Sequence, residues 1–136
     1  MVDPVETPAQ DSMERRPVVL IVEDEFLLRW PASEYLRDSG FRVIEAASVS
    51  EAMVVFSSNT RVDAVFSDIN LQGDLTGHEL ARWLDKHYPT VPMLLTSGDK
   101  AAAASVSMGA TRSFISKPYL LADVDLRIKA LVPRHV

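Results

Sequence analysis

The chain has 136 residues, 47% of them hydrophobic and 24% charged, with 19 acids against 14 lysines and arginines and a formal net charge of −5. That length suits one domain with one core, and the acidic balance excludes non-specific binding to nucleic acid or to an anionic membrane surface. There is no cysteine, which excludes disulfides, thiolate metal sites and cysteine nucleophiles, and no stretch approaches the ~18 apolar residues of a membrane span.

Residues 1–16 are polar, hold Pro4 and Pro8 and show no period, so they read as a disordered arm ahead of a folded domain over 17–136. The arm lacks the apolar centre of a secretory signal, and a cytoplasmic location is expected. "VVLIV", from Val18, is a buried strand. "FLLRWPASEYLRDSG" is a helix closed by Gly40; Pro31 either kinks it or marks where its regular part begins, near Trp30. If Leu28, Ala32 and Tyr35 face the sheet, then Phe26, Trp30, Ser33 and Arg37 share the opposite stripe. Exposed aromatics there point to a partner surface, against the alternative that Trp30 tucks inward. "FRVIEA" is the second strand, and Ser48-x-x-Glu51 reads as a capping box opening a helix to Phe56. "DAVFSD" is the third strand, followed by the helix "GHELARWLDKHY" with Leu80, Trp83 and Leu84 inward. "VPMLLTSG" is the fourth strand, "KAAAASVSMG" a short helix and "SFIS" the fifth strand. "LADVDLRIKALV" is the last helix, stopped by Pro133. Five strands alternating with five helices imply a parallel sheet covered on both faces, with ligands at the carboxyl ends of the strands.

Those ends carry chemistry. The first strand ends in Glu23-Asp24, the third in Asp68 and the fourth in Thr96-Ser97, while Lys117-Pro118 follows the fifth. A parallel sheet gathers all of them on one edge. Three carboxylates without His or Cys make a hard oxygen site suited to Mg²⁺. Such an ion would offset the repulsion of Glu23, Asp24 and Glu25 at the end of a buried strand. Lys117 would stabilise one phosphoryl oxygen, Thr96 would donate to another, and Asp68 would be the nucleophile that forms an acyl phosphate. Glu25 reads as a first-turn helix acid, His78 as a surface residue. His78, His87 and His135 show no metal-ligand spacing.

With "LIVEDE", "FSDINLQGDLTGHEL", "LLTSG" and "FISKPY" in this order, the chain from Pro17 to Val132 resembles the receiver domain of two-component response regulators. The resemblance implies a flavodoxin-like α/β fold: a doubly wound five-stranded parallel sheet in order 2-1-3-4-5 with five helices. It implies Asp68 as phosphoacceptor, and Mg²⁺ held by Glu23, Asp24, Asp68 and the backbone carbonyl of Asn70. It makes Thr96 the switch hydroxyl and Lys117 the lysine before a cis peptide to Pro118. Phe114 stands where the switch aromatic is often Tyr, so its ring can rotate but offers no hydroxyl. The implied phosphoryl donor is a sensor histidine kinase or histidine phosphotransfer protein, for which Phe26 and Trp30 would be the docking residues. Output would pass to a downstream protein, with no nucleic acid or membrane partner, and a phosphorylation-dependent homodimer is allowed. Only "PRHV" follows Val132, so a stand-alone receiver is expected, catalysing no more than its own phosphorylation and dephosphorylation. Two rival readings fit parts of the pattern. An aspartyl-phosphate hydrolase places its nucleophile in a D-x-D pattern after the first strand, where this chain has "EDE". A phosphate-independent, degenerate receiver would not need Asp68, Thr96 and Lys117 together.

Overall fold

The computed structural model describes residues 15–73, 75–99, 101–102 and 111–132. In chain order the elements are β1 (Val18–Val22), α1 (Phe26–Asp38), β2 (Arg42–Ala46), α2 (Val49–Ser57), β3 (Ala64–Asp68), α3 (Gly77–His87), β4 (Met93–Ser97), β5 (Arg112–Ser116) and α4 (Leu121–Leu131). The expected disordered arm lies outside the described residues as far as position 14. So does the short helix expected after the fourth strand, beyond Ala102. Among the described residues no helix is long and apolar enough to cross a membrane.

All neighbouring strands pair in parallel, in the order β2-β1-β3-β4-β5 that the resemblance implied. The three inner strands are buried at every residue, which is why their sequences are apolar runs rather than alternating patterns. Alternate side chains on these strands feed two separate cores. Leu20, Val22, Val65, Met93 and Leu95 pack with Ala52 and Phe56 of α2 and Leu80 and Leu84 of α3. Val19, Ile21, Phe66 and Leu94 pack with Ala32 and Leu36 of α1 and Val124 and Ile128 of α4. The strand order reverses direction between β1 and β3, and this switch point opens the crevice at the carboxyl edge.

Helix α1 corrects the expected stripe. It runs unbroken through Pro31, whose ring faces solvent; the carbonyl that loses its helical donor is that of Leu27, a residue 82% exposed, where water can replace it. The buried face is Ala32, Ser33 and Leu36, so Ser33 turns inward while Leu28 and Tyr35 turn outward. Small side chains at 32 and 33 let the helix lie close to the sheet. The Ser33 hydroxyl is satisfied by donating to the Arg29 carbonyl at 2.9 Å. Trp30 is exposed, not tucked in.

The caps also differ in detail. Ser48 accepts the Glu51 N–H, but the Glu51 carboxylate takes the N–H of Ala47 rather than that of Ser48, leaving half a capping box. The complete reciprocal box is Thr76 with Glu79, at the start of α3.

Candidate functional site

Strand β1 delivers its acids with very different exposure. Glu23 is buried, Asp24 is half-buried and Glu25 is exposed at the N-cap of α1. The Glu23 N–H extends the β1–β2 ladder by donating to the Ala46 carbonyl at 3.0 Å, and the Glu23 side chain folds back to accept the Glu25 N–H at 3.1 Å. Carboxylate oxygens of Glu23, Asp24 and Glu25 lie within 4.8 Å of one another. Glu25 therefore occupies the N-cap position, with no capping bond from its side chain, and joins the acidic cluster rather than sitting in the first turn away from it. Burial pushes the Glu23 carboxyl up to about 7; Asp24 and Asp68 add to the rise, while the Glu25 amide and Lys117 oppose it.

Strand β3 places Asp68 at its last residue, 5% exposed. One Asp68 oxygen accepts the Asn70 N–H at 2.9 Å, and the other accepts Lys117 Nζ at 2.6 Å. Lys117 Nζ also reaches Glu23 Oε1 at 3.4 Å, so one ammonium bridges the ends of β1 and β3. Burial works against the Lys117 charge, but Asp68 and then Glu23 outweigh it and hold the ammonium above the usual lysine range. The Lys117–Pro118 peptide is cis, as expected. Asp24 is tied to the loop after β3 by the Gln72 N–H, which donates to its Oδ2 at 3.0 Å.

The two hydroxyls at the end of β4 separate cleanly. Thr96 pairs in register with Asp68, and its hydroxyl is buried with no hydrogen-bond partner among the described residues. Ser97 Oγ is committed: it accepts the Asn70 side-chain amide and the Asp99 N–H, each at 3.0 Å. Thr96 thus has a buried hydroxyl with no partner among the described residues, whereas the Ser97 oxygen is already held in place by two donors. Thr96 lines a cavity of about 10 Å³ together with Glu23, Asp68, Arg29 and Tyr119. The Tyr119 ring packs edge-on against Phe66, 5.6 Å between centroids. Phe114 pairs with Leu95 and packs, half-buried, on the core under α2 and α3. Phe26 and Trp30 stack at 6.4 Å and are 56% and 51% exposed.

Gly77 was not legible as a site residue. A Cβ there would lie 2.4 Å from the Asp68 carbonyl oxygen and 2.7 Å from Ile69 Cα, and the Gly77 N–H donates to the Ile69 carbonyl at 2.9 Å. Helix α3 thus begins directly against the backbone of Asp68. The signal available in the sequence was a glycine at a helix start, just after a good N-cap, where helix propensity does not favour it.

The donor set is chemically suited to Mg²⁺. It is all oxygen, and it carries more negative charge than Lys117 balances. Asp68 stands beside the three-carboxylate group rather than inside it, held towards Lys117.

Comparison with known proteins agrees with this arrangement. The family model "Response regulator receiver domain" matches residues 19–129. A putative response regulator NtrX-like protein of Rickettsia felis is 35% identical over 105 residues, covering 74% of this chain and 22% of that protein. The regulatory protein VirG of Rhizobium rhizogenes is 35% identical over 115 residues, covering 82% of this chain and 46% of its own length. The chain therefore spans less than half the length of these relatives. The crystal structure of a response regulator receiver protein from Sinorhizobium medicae superposes with a TM-score of 0.79 at 24% identity, covering 87% of this chain and 95% of that one. Fold, strand-end chemistry and sequence similarity converge, and the chain belongs to the response regulator receiver domain family.

Proposed function

We propose that Asp68 accepts a phosphoryl group from a phosphohistidine on a sensor kinase or phosphotransfer protein, and that other proteins read the phosphorylated form. The observation that carries this reading is the pairing of Asp68, held by Lys117 at 2.6 Å and by the Asn70 N–H at 2.9 Å, with an unpartnered Thr96 hydroxyl on the adjacent strand. An Asp68 carboxylate oxygen attacks phosphorus; the P–N bond of the donor breaks and its electron pair leaves with the imidazole. Lys117 passes from the Asp68 carboxylate to a phosphoryl oxygen, and Thr96 donates to another. Glu23, Asp24, Asp68 and the Asn70 carbonyl would hold Mg²⁺, which when bound neutralises charge on the phosphoryl oxygens. Movement of Thr96 towards the phosphoryl group acts on its own side of the sheet, beside Tyr119 and the core under α1 and α4, whereas Phe114 packs on the opposite side under α2 and α3.

The donor protein docks on the first turns of α1. Phe26, Leu27 and Trp30 are more than half exposed, and Leu28 continues this surface into an apolar recess of about 440 Å³ lined by Gly98, Lys117, Pro118 and Tyr119. A helix seated there brings its phosphohistidine to the mouth of the Asp68 site. The test is labelling by acetyl phosphate with Mg²⁺, followed by intact mass. One added phosphoryl group is expected in the wild type and none in Asp68→Asn; equal labelling of Asp68→Asn would overturn the assignment.

A further inference from the structure

Arg29 belongs to an exposed helix turn, between Leu28 and Trp30, where an arginine ordinarily reads as a solvent-facing charge. Its side chain is instead only 17% exposed and points back to the end of β1. Nη1 donates to the Glu23 carbonyl at 2.8 Å, and Nε donates to Glu45 Oε1 at 3.0 Å. Glu45 is itself held by Arg37 Nη2 at 3.4 Å, so the anchor does not swing freely. The Glu23 residue is thereby fixed at both backbone groups: its N–H by Ala46 of β2, its carbonyl by Arg29 of α1. Asp24 is the next residue along the chain. The guanidinium also lies over the Phe26 ring, 5.6 Å from its centroid, so the acidic pair and the exposed aromatic pair share one side chain.

We propose that Arg29 is a positioning residue for the acidic pair: by clamping the Glu23 carbonyl it sets the direction in which Glu23 and Asp24 present their carboxylates to Mg²⁺. The inference rests on the reading that these two residues hold the ion. The planar guanidinium suits the task because two of its donors act in fixed, divergent directions, which a lysine ammonium cannot reproduce. Charge and geometry make opposite predictions here. A nearby cation repels Mg²⁺, so on charge alone removing it tightens binding. Loss of the clamp weakens binding.

The experiment is Mg²⁺ titration of the full chain by calorimetry for wild type, Arg29→Lys and Arg29→Met, with denaturant unfolding of each beside it. Groups that orient metal ligands typically contribute about tenfold or more in metal affinity, so about tenfold weaker binding is expected in both variants. Arg29→Lys keeps the charge, and a role confined to fold stability would move the unfolding midpoint and leave the affinity of the folded protein unchanged. Should Arg29→Met not fold, Arg29→Lys decides. Wild-type affinity in Arg29→Lys, or tighter binding in Arg29→Met, overturns the inference alone. Failure of the wild type to bind Mg²⁺ overturns both the inference and the reading of the site beneath it.

Discussion

Strand β5 and the turn after it carry a cation at each end, Arg112 buried and Lys117 half-buried, and the two are held in contrasting ways. At the amino edge of the sheet Arg112, 6% exposed, is surrounded mainly by backbone: its guanidinium donates to the carbonyls of Thr111 at 2.8 Å, Val91 at 3.1 Å and Ala81 at 3.5 Å. Its carboxylate partner, Asp85, is a solvated side chain, 62% exposed. At the carboxyl edge Lys117 faces two buried carboxylates, Asp68 and Glu23, with Asp24 and Glu25 close behind. The first arrangement spreads one charge over backbone carbonyls of three segments, which is a fold-stabilising use. The second leaves carboxylates in excess and a hydroxyl in reserve, an arrangement that a fold alone does not need but a cation and a phosphoryl group would complete.

Exchanging the two cations for methionine breaks the comparison most sharply. Lys117→Met removes a donor to the transferred group, so acetyl phosphate labelling should fall by about 100-fold or more, while Mg²⁺ affinity holds or rises with the loss of a positive charge. Arg112→Met removes a buried guanidinium with its contacts to three carbonyls and to Asp85, and should cost about 2–4 kcal/mol of stability by denaturant titration, with labelling of the folded protein within about threefold of wild type. A loss of labelling in Arg112→Met equal to that in Lys117→Met would erase the distinction between the edges.

A second effect, smaller, comes from Glu23. Burial pushes its carboxyl from the ordinary 4.5 up to about 7 in the folded protein, so the folded state binds more protons across that interval. The Glu23 contribution to the stability of the metal-free protein is therefore fully present below about 4.5 and is lost as pH rises through 7. Glu23→Gln should flatten this slope, and saturating Mg²⁺ should reduce it in the wild type, because the ion favours the ionised form. An unchanged slope in Glu23→Gln would place the titration elsewhere.

The smallest contrast lies between neighbours on β4. Thr96 has no partner for its hydroxyl, so Thr96→Val should leave the stability of the unphosphorylated protein within about 0.5 kcal/mol. Ser97 joins Asn70 to Asp99, so Ser97→Ala should cost about 1 kcal/mol. With a beryllofluoride phosphoryl mimic, amide shifts at Tyr119, which lines the Thr96 cavity, should persist in Ser97→Ala and vanish in Thr96→Val; the reverse pattern would exchange the roles of the two hydroxyls.

The parts of this site that could be read from the sequence are those fixed by strand ends. A short apolar run shows where a strand stops, and parallel topology then puts Glu23, Asp68, Thr96 and Lys117 on one edge without any knowledge of angles. What the sequence hid depends on helix phase and close approach. The spacing of Leu28, Ala32 and Tyr35 suits an inward face, yet the small pair Ala32-Ser33 packs closer and wins, since Ser33 can satisfy its hydroxyl within the helix. Phe26 and Trp30 are exposed all the same, Phe26 as the first residue of the helix although it shares the Ser33 stripe. Arg29 looks like any helix-surface charge until the turn between β1 and α1 folds it back onto Glu23. Gly77 shows its purpose only where α3 meets the backbone of Asp68.

The central claim is that Asp68 is the phosphoacceptor. Its most direct test is to treat the wild-type protein with acetyl phosphate and Mg²⁺, reduce the acyl phosphate with borohydride, and locate the product by tandem mass spectrometry. The account predicts homoserine at position 68 and at no other acid, with none formed when Mg²⁺ is chelated. Homoserine at Asp24 or another carboxylate, with Asp68 unchanged, would contradict it.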